Sequence, residues 1–305
     1  MYIFGPVPSR RLGLSLGVDL LKEKHCNLNC VYCELGKTRK ICRERKIFVE
    51  TQEVISEIKE YFKSGKKADV VTFSGNGEPL LAENLGDVIR GIRSFFSGRI
   101  ALLTNGVFLY DKKARQDAAL ADIVLPSIDA GSDSIFRKIN RPAKEEDFER
   151  YINGLVKFSA VFKGEIWAEV LLVKGINDSD EAVKGVKKII DKMENVSRIQ
   201  VNTIVRSRAE KSAEPVSRAR LERAAEIFGE TAEIIGGYEG GAMDAVEDVQ
   251  KLILKITKFR PVSSADMAKL TGLPEAKINE YVEELRKKNK LEFQQIDGAE
   301  CFKAK

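Results

Sequence analysis

The chain has 305 residues, 43% of them hydrophobic and 32% charged; the length suits about two domains of roughly 150 residues each, and the balance supports a sizeable core and excludes wholesale disorder. The net charge of +5 is uneven: residues 1–46 hold ten Lys and Arg against four Asp and Glu, residues 47–245 hold 29 against 32, and residues 246–305 hold 12 against 10. No apolar run approaches the roughly 20 residues needed to cross a bilayer, and the start Met1-Tyr2-Ile3-Phe4-Gly5-Pro6 lacks the regions of a signal peptide, so a cytoplasmic setting without membrane contact is expected.

From residue 15 to about residue 230, short β-rich runs alternate with amphipathic segments. The strand candidates are 15–21, 70–74, 99–104, 123–127, 165–173 and 199–205. Between them, Val54, Ile55, Ile58, Tyr61 and Phe62 recur at helical spacing after a Thr51 cap, and Leu85, Val88, Ile89, Ile92, Phe95 and Phe96 do the same. Segments 148–158, 180–193 and 217–228 are also helical in period. Such alternation means parallel strands joined by right-handed crossovers, as an open doubly wound sheet or an incomplete barrel. In either, functional loops gather at the carboxyl ends of the strands.

The unusual loops obey that rule. His25-Cys26-Asn27-Leu28-Asn29-Cys30-Val31-Tyr32-Cys33 follows the first strand and Gly75-Asn76-Gly77-Glu78-Pro79 the second. Asn105-Gly106, Asp129-Ala130-Gly131, Lys174-Gly175 and Arg206 follow the next four. All fall on one rim. On the fifth strand Trp167 and Glu169 share a face, and they border the cavity if that face is the interior.

Beyond a Gly-rich hinge from Gly236 to Gly241, helix-like segments 246–257, 263–270 and 274–288 lead to a hairpin, 291–296 and 300–303, turned by Asp297-Gly298. Helix, helix, turn, helix, hairpin is the plan of a winged helix-turn-helix. The domains expected are therefore 1–235, a linker 236–245, and 246–305. The last helix carries Glu275, Glu280, Glu283 and Glu284 beside Lys277 and Arg286, a poor match to the cationic start of a DNA-reading helix. RNA, peptide or intramolecular docking suits it better than sequence-specific DNA.

Five cysteines, odd in number and unevenly spaced, make a disulfide scaffold a poor reading, and His25 as the sole imidazole excludes zinc sites that need two or three histidines. Cys26, Cys30 and Cys33 form C-x3-C-x2-C. Three thiolates on one loop can hold three irons of a [4Fe–4S] cluster and leave the fourth open; zinc with Cys42 or His25 as fourth ligand is the alternative. Gly36-Lys37-Thr38 is not a P-loop, because Val31 stands where the pattern needs glycine. Gly75 and Gly77 lack the third glycine of a dinucleotide fingerprint. Cys42, in the basic run 37–43, reads as a surface cysteine that neighbouring cations could activate, and Cys301 as packing.

With Tyr32 before the last cysteine, C-x3-C-x2-C resembles the signature of radical S-adenosylmethionine (SAM) enzymes, and the resemblance extends over residues 1 to about 230. It implies a partial (βα)6 barrel, an α/β fold, with Cys26, Cys30 and Cys33 as ligands of a [4Fe–4S] cluster. The cluster would bind SAM and cleave it to methionine and a 5′-deoxyadenosyl radical that abstracts hydrogen. The family's cofactor contacts fall here on Tyr32, on Gly75, Asn76, Gly77 and Glu78 at the methionine end, on Asn105, on Ser127 and Asp129 facing the ribose, and on Lys174 and Asn202 at the carboxylate or adenine. The opening Gly5-Pro6-Val7-Pro8-Ser9-Arg10-Arg11-Leu12-Gly13 resembles relatives of the wyosine-base synthases, which act on tRNA. No cysteine precedes Cys26, so their second cluster is not implied, and Arg206-Ser207-Arg208 departs from an Arg followed by prolines.

The expected function is a radical SAM enzyme acting on a large substrate, tRNA among the candidates, with an external electron donor of flavodoxin or ferredoxin type. The alternatives are an activase placing a radical on a partner protein, and a non-catalytic zinc- or cluster-bearing winged-helix regulator.

Overall fold

A computed structural model describes residues 1–9, 11–204, 208–235, 249–250, 253–254, 257, 262–271, 273–296 and 299–304. Arg10, Arg206, Ser207, the 236–245 linker with its Gly-rich hinge, Gly272 and the Asp297-Gly298 turn lie outside the described residues. The chain divides into two compact units, Met1–Gly237 and Tyr238–Lys305.

In the first unit, β1 (Ile3–Ser9) and β2 (Gly13–Val18) form an antiparallel hairpin. Then β3 (Val70–Phe73), β4 (Arg99–Thr104), β5 (Ile123–Pro126), β6 (Glu165–Leu172), β7 (Val196–Thr203) and β8 (Ala232–Ile234) add one after another, each parallel to the last. The crossovers carry α1 (Thr51–Lys63), α2 (Leu85–Arg93), α3 (Lys112–Ala118), α4 (Asp133–Ile139), α5 (Phe148–Val161), α6 (Asp180–Ile190) and α7 (Arg218–Phe228). Strand order never reverses, so right-handed crossovers place every helix on one face and the sheet curls as an incomplete barrel rather than a doubly wound sheet.

The two faces show it in their packing. Leu16, Val71, Phe73, Leu102, Val124, Ala168, Val170 and Val201 join one large core with helix residues such as Val54, Ile58, Ile89 and Leu155. The opposite face gathers Val70, Ala101, Ile123, Leu125 and Trp167 with no helix residue among them, and Leu12 from the hairpin tip packs there. Trp167 and Glu169 do share this inner face. Arg11, beside Leu12, pairs with Glu169 and donates to Gln200 Oε1 at 2.9 Å, so the hairpin tip reaches across the interior to β6 and β7.

Six parallel strands were expected and seven are present, with β1 as an antiparallel eighth. Pro6 and Pro8 argue against a strand over residues 3–9; β1 tolerates them because it is the sheet edge, where a missing N–H costs no ladder bond. β8 has three residues, and α3 and α4 have seven each, too short for a periodic signal. Thr51 is not a cap: Glu50 holds that position without a side-chain bond, and Thr51 Oγ1 accepts from Asn84 Nδ2 at 2.9 Å.

In the second unit, helical residues near 249–257 precede β9 (Val262–Ser263), α8 (Ser264–Thr271), α9 (Glu275–Lys287), β10 (Leu291–Ile296) and β11 (Ala299–Ala304). The strands form one antiparallel sheet, β10-β11-β9. Val249, Ile253, Met267, Ile278, Tyr281, Val282, Leu285 and Phe302 make a separate core. Cys301 is buried. Among the described residues no helix is long and apolar enough to cross a membrane.

Candidate functional site

The chain leaves β2 at Asp19, and two hydrogen bonds tie the next loop to the one leaving β3: His25 N donates to Asn76 O at 2.9 Å and Glu78 N to His25 O at 3.0 Å. This contact requires glycine. Gly77 has φ +138°, and a Cβ there would lie 1.8 Å from His25 O. Asn76 Nδ2 donates to Asp19 Oδ2 at 2.5 Å, closing the same corner.

The cysteine loop is held on its other sides too. Cys42 N donates to Cys26 O at 2.9 Å, Thr38 Oγ1 to Leu28 O at 2.8 Å, and Val31 N to Ile139 O at the end of α4 at 2.9 Å. Cys26, Cys30 and Cys33 are each half-buried, and each sulfur has its own side-chain nitrogen. Asn105 Nδ2 lies 3.7 Å from Cys26 Sγ, Asn140 Nδ2 lies 3.5 Å from Cys30 Sγ, and Lys24 Nζ lies 3.2 Å from Cys33 Sγ. Burial, then the Glu78 charge, pushes the Cys26 thiol up to about 12, and burial raises Cys30 as well.

A group carrying positive charge and sulfide acceptors would suit this pocket. It would take the protons' place on the thiols, and Asn27 Nδ2, buried beside Cys26, has no hydrogen-bond partner. Asn27 Oδ1 already accepts from Asn105 Nδ2 at 2.7 Å, so its unpartnered amide N–H is available to an acceptor. Among the described residues, no three His, Cys, Asp or Glu side chains converge as a single-ion site. Cys42 Sγ lies 3.5 Å from His25 Nδ1.

The other residues singled out in the sequence divide. The backbone of Asn76, Gly77 and Glu78 borders the cysteine loop at His25, Gly75 packs against Asp19, and Asn105 lies beside Cys26. The carboxylates of Glu78 and Asp129 are buried and spend their oxygens on hydrogen bonds within the chain. Glu78 accepts from Thr104 Oγ1 at 2.6 Å, Asn105 N at 2.7 Å and Leu80 N at 2.9 Å, and burial raises its pKa to about 7 against those bonds. Asp129 accepts from Tyr32 Oη, from Asn140 Nδ2 at 2.9 Å and from Leu171 N at 2.9 Å, and burial raises its pKa too. Tyr32 therefore spends its hydroxyl on Asp129, and burial holds that phenol well above its ordinary pKa. At the end of β5 the Ser127 carbonyl accepts from Tyr151 Oη at 2.7 Å.

Two residues stand apart. Lys174 is exposed and pairs with Glu214 at 3.0 Å, and Asn202 turns its Oδ1 to Thr203 N at 2.8 Å at the tip of β7. The residues overlooked in the sequence are Asn140, Asn27 and Lys24. Asn140 caps α4, with Arg141 at φ +47° behind it, and nothing local in Asn140-Arg141-Pro142 points to a cysteine more than a hundred positions away. Asn27 and Lys24 flank the cysteine motif, and that adjacency was the available signal.

A model of the Radical SAM superfamily matches residues 24–184. The chain is 39% identical over 226 residues to a Brachyspira hyodysenteriae protein named GTPase Obg, covering 74% of this chain and 33% of that protein, so it spans a third of that relative's length. It is 30% identical over 266 residues to the UPF0026 protein MJ1312 of Methanocaldococcus jannaschii, covering 85% of this chain and 82% of that one. The fold is similar to that of a radical SAM methyltransferase from Sphaerobacter thermophilus, with a TM-score of 0.57 at 16% identity over 74% of this chain and 67% of the other.

Proposed function

The chain belongs to the radical SAM superfamily and is an enzyme of that class, and from that premise we propose that Cys26, Cys30 and Cys33 hold a [4Fe–4S] cluster beside a SAM site on the strand-end rim. When bound, such a cluster supplies an open iron for the amino and carboxylate groups of SAM and the electron that cleaves it to a 5′-deoxyadenosyl radical. The observation that carries this reading is the three half-buried thiols on one loop, each faced by its own nitrogen donor, with the backbone of Asn76 and Glu78 bonded to that loop at His25.

The chain's own residues divide the work. Gly75 and Gly77, both at positive φ, bring bare backbone beside the cysteine loop, where it can hold the methionine end of SAM. Glu78 holds that loop to the end of β4. Asp129 orients Asn140 toward Cys30 and joins β5 to β6 through Leu171. Ser127, at the end of β5, faces the ribose. The inner face below the rim is closed by Trp167 and the Arg11–Glu169–Gln200 contacts, which keep water from a radical formed above.

The substrate is read as a large molecule, RNA such as tRNA, because the second unit adds a surface that a small-molecule enzyme has no need for. Helical residues near 249–257, then a short strand, two helices and a hairpin whose strands complete one three-stranded antiparallel sheet support a winged-helix reading of that unit. Two of its three α9 cations are engaged, Lys277 with Glu280 and Arg286 with Glu283, which speaks against DNA reading. The electron donor is read as a flavodoxin or ferredoxin.

Anaerobic reconstitution with iron and sulfide, then SAM and dithionite, tests the proposal. About four irons per chain with 5′-deoxyadenosine formed is the expected result, lost in a Cys30→Ala variant that still folds. Tightly held zinc and no SAM cleavage would overturn it.

A further inference from the structure

A cavity adjoins the cysteine loop. It has a volume of about 1020 Å³ and lies between the segment that enters the loop and the one that leaves it, walled by Lys24, Lys37, Arg39, Lys40, Arg43 and Lys46 against two carboxylates, Glu23 and Glu44. Most of the ten Lys and Arg of residues 1–46 therefore line one concavity. Its wall shares no residue with the rim loops that carry Gly75, Asn105, Ser127 or Asp129. Yet it touches the cysteines: Lys24 lies on Cys33 Sγ, and Cys42, in the wall, bonds through its backbone to Cys26.

Several of the cations are exposed and two are uncommitted. Lys37 pairs with Glu210, Arg43 with Glu145, and Lys46 lies over the Phe48 ring. Arg39 and Lys40 are exposed and make no ion pair among the described residues. No aromatic ring other than the His25 imidazole lines the wall, and that ring is packed on Phe48 with centroids 4.6 Å apart, so a nucleobase finds no platform to stack on. Leu35 in the wall and Ile47 beside it are 45% and 57% exposed. Apolar points among cations are what an acidic protein face needs, whereas phosphates gain nothing from Leu35 or Ile47.

The proposed reaction consumes one electron for each SAM cleaved, and neither SAM nor the hydrogen donor supplies it. We infer that the basic cavity is the docking site of a small acidic one-electron carrier protein, a flavodoxin or ferredoxin in kind, which gives up its electron beside Cys33. The carrier is oxidised by one electron, no bond forms or breaks at the cavity, and the electron is taken up in breaking the SAM carbon–sulfur bond at the rim. This rests on the radical SAM reading above, and it turns the basic surplus of residues 1–46 from a nucleic-acid surface into a redox interface.

The test uses the full chain after anaerobic reconstitution, a purified flavodoxin as probe, and the variant Arg39→Glu/Lys40→Glu, which alters two exposed side chains outside the cysteine loop. Calorimetric titration is expected to show flavodoxin binding weakened about tenfold by the variant, and weakened in the wild type by raised salt. Flavodoxin-driven 5′-deoxyadenosine formation falls with it, while dithionite-driven formation, which needs no docking, stays at the wild-type rate. Equal flavodoxin affinity in variant and wild type overturns the inference. So does a variant that keeps flavodoxin and loses affinity for a tRNA pool, which would make the cavity a nucleic-acid site. If the wild type cleaves no SAM with dithionite, the radical reading fails, and the binding titration still decides the docking.

Discussion

Asn140 shows how a single amide can matter to chemistry that it does not perform. Its Nδ2 lies 3.5 Å from Cys30 Sγ and 2.9 Å from Asp129, a carboxylate that is 2% exposed. Hydrogen bonds to cysteine sulfur stabilise the more negative, reduced form of a cluster and raise its potential. Asn140→Leu keeps the volume and removes the donor, so a reconstituted variant is expected to hold the same iron at a more negative midpoint potential, read by a redox titration followed by EPR. An unchanged potential would leave Asn140 with a packing role alone.

Glu78 makes a prediction about pH at the same scale. Its pKa rises from 4.5 to about 7 on folding, mainly through burial. A carboxyl raised on folding stabilises fully below its unfolded pKa, and that contribution is lost as pH rises through the folded one. Urea unfolding should therefore show stability falling between about pH 5 and pH 8, with a shallower fall in Glu78→Gln, which carries no titrating carboxyl. Parallel pH profiles for the two proteins would show that Glu78 is ionised throughout.

At the scale of elements, the site exists because two loops from neighbouring strands touch through backbone. Loop 75–78 follows β3 and the cysteine loop follows β2, strands in parallel register from Ser15 opposite Val70 to Val18 opposite Phe73. Their closest approach is at Gly77, where a methyl group would collide with the His25 carbonyl. Gly77→Ala must move one loop or the other and adopt a φ that costs a side chain about 1–3 kcal/mol. The expected outcome is a folded protein, destabilised by about that amount in urea, whose SAM affinity by equilibrium dialysis falls by at least tenfold. Wild-type SAM binding in this variant would place the methionine end elsewhere. The order of these loops was legible in the sequence, since each follows a short apolar strand run. The duties of Glu78 and Asp129 were not, because a carboxylate in a rim motif looks the same whether it meets a ligand or three backbone and side-chain donors.

Across the first unit, the hairpin tip reaches from one end of the sheet toward the other. Arg11 sits between β1 and β2 at one end of the sheet and meets Glu169 on β6 and Gln200 on β7, with Gln200 passing the chain on to Glu233 at 2.7 Å. Both ionic partners are about one-fifth exposed, so removing one leaves a partly buried charge without its partner. Arg11→Met is expected to cost about 2 kcal/mol in urea unfolding, and the double variant Arg11→Met/Glu169→Gln should recover part of that loss. Additive losses would mean that the pair does not couple the hairpin to β6.

The sequence by itself determined the features that local order dictates: parallel strands with crossovers, three cysteines on the loop that follows the first of them, Gly-rich loops after the next strands, and a separate run of helices and a hairpin beyond the Gly-rich stretch. Those are properties of neighbours in the chain, where spacing and periodicity carry the information. Tertiary structure alone decided which donor faces each thiol, that the hairpin tip enters the interior, that Pro6 and Pro8 sit in an edge strand, and that the N-terminal cations line one cavity. Each of these depends on contacts between segments far apart in the chain, and no residue's neighbours in sequence record what the fold will place across from it.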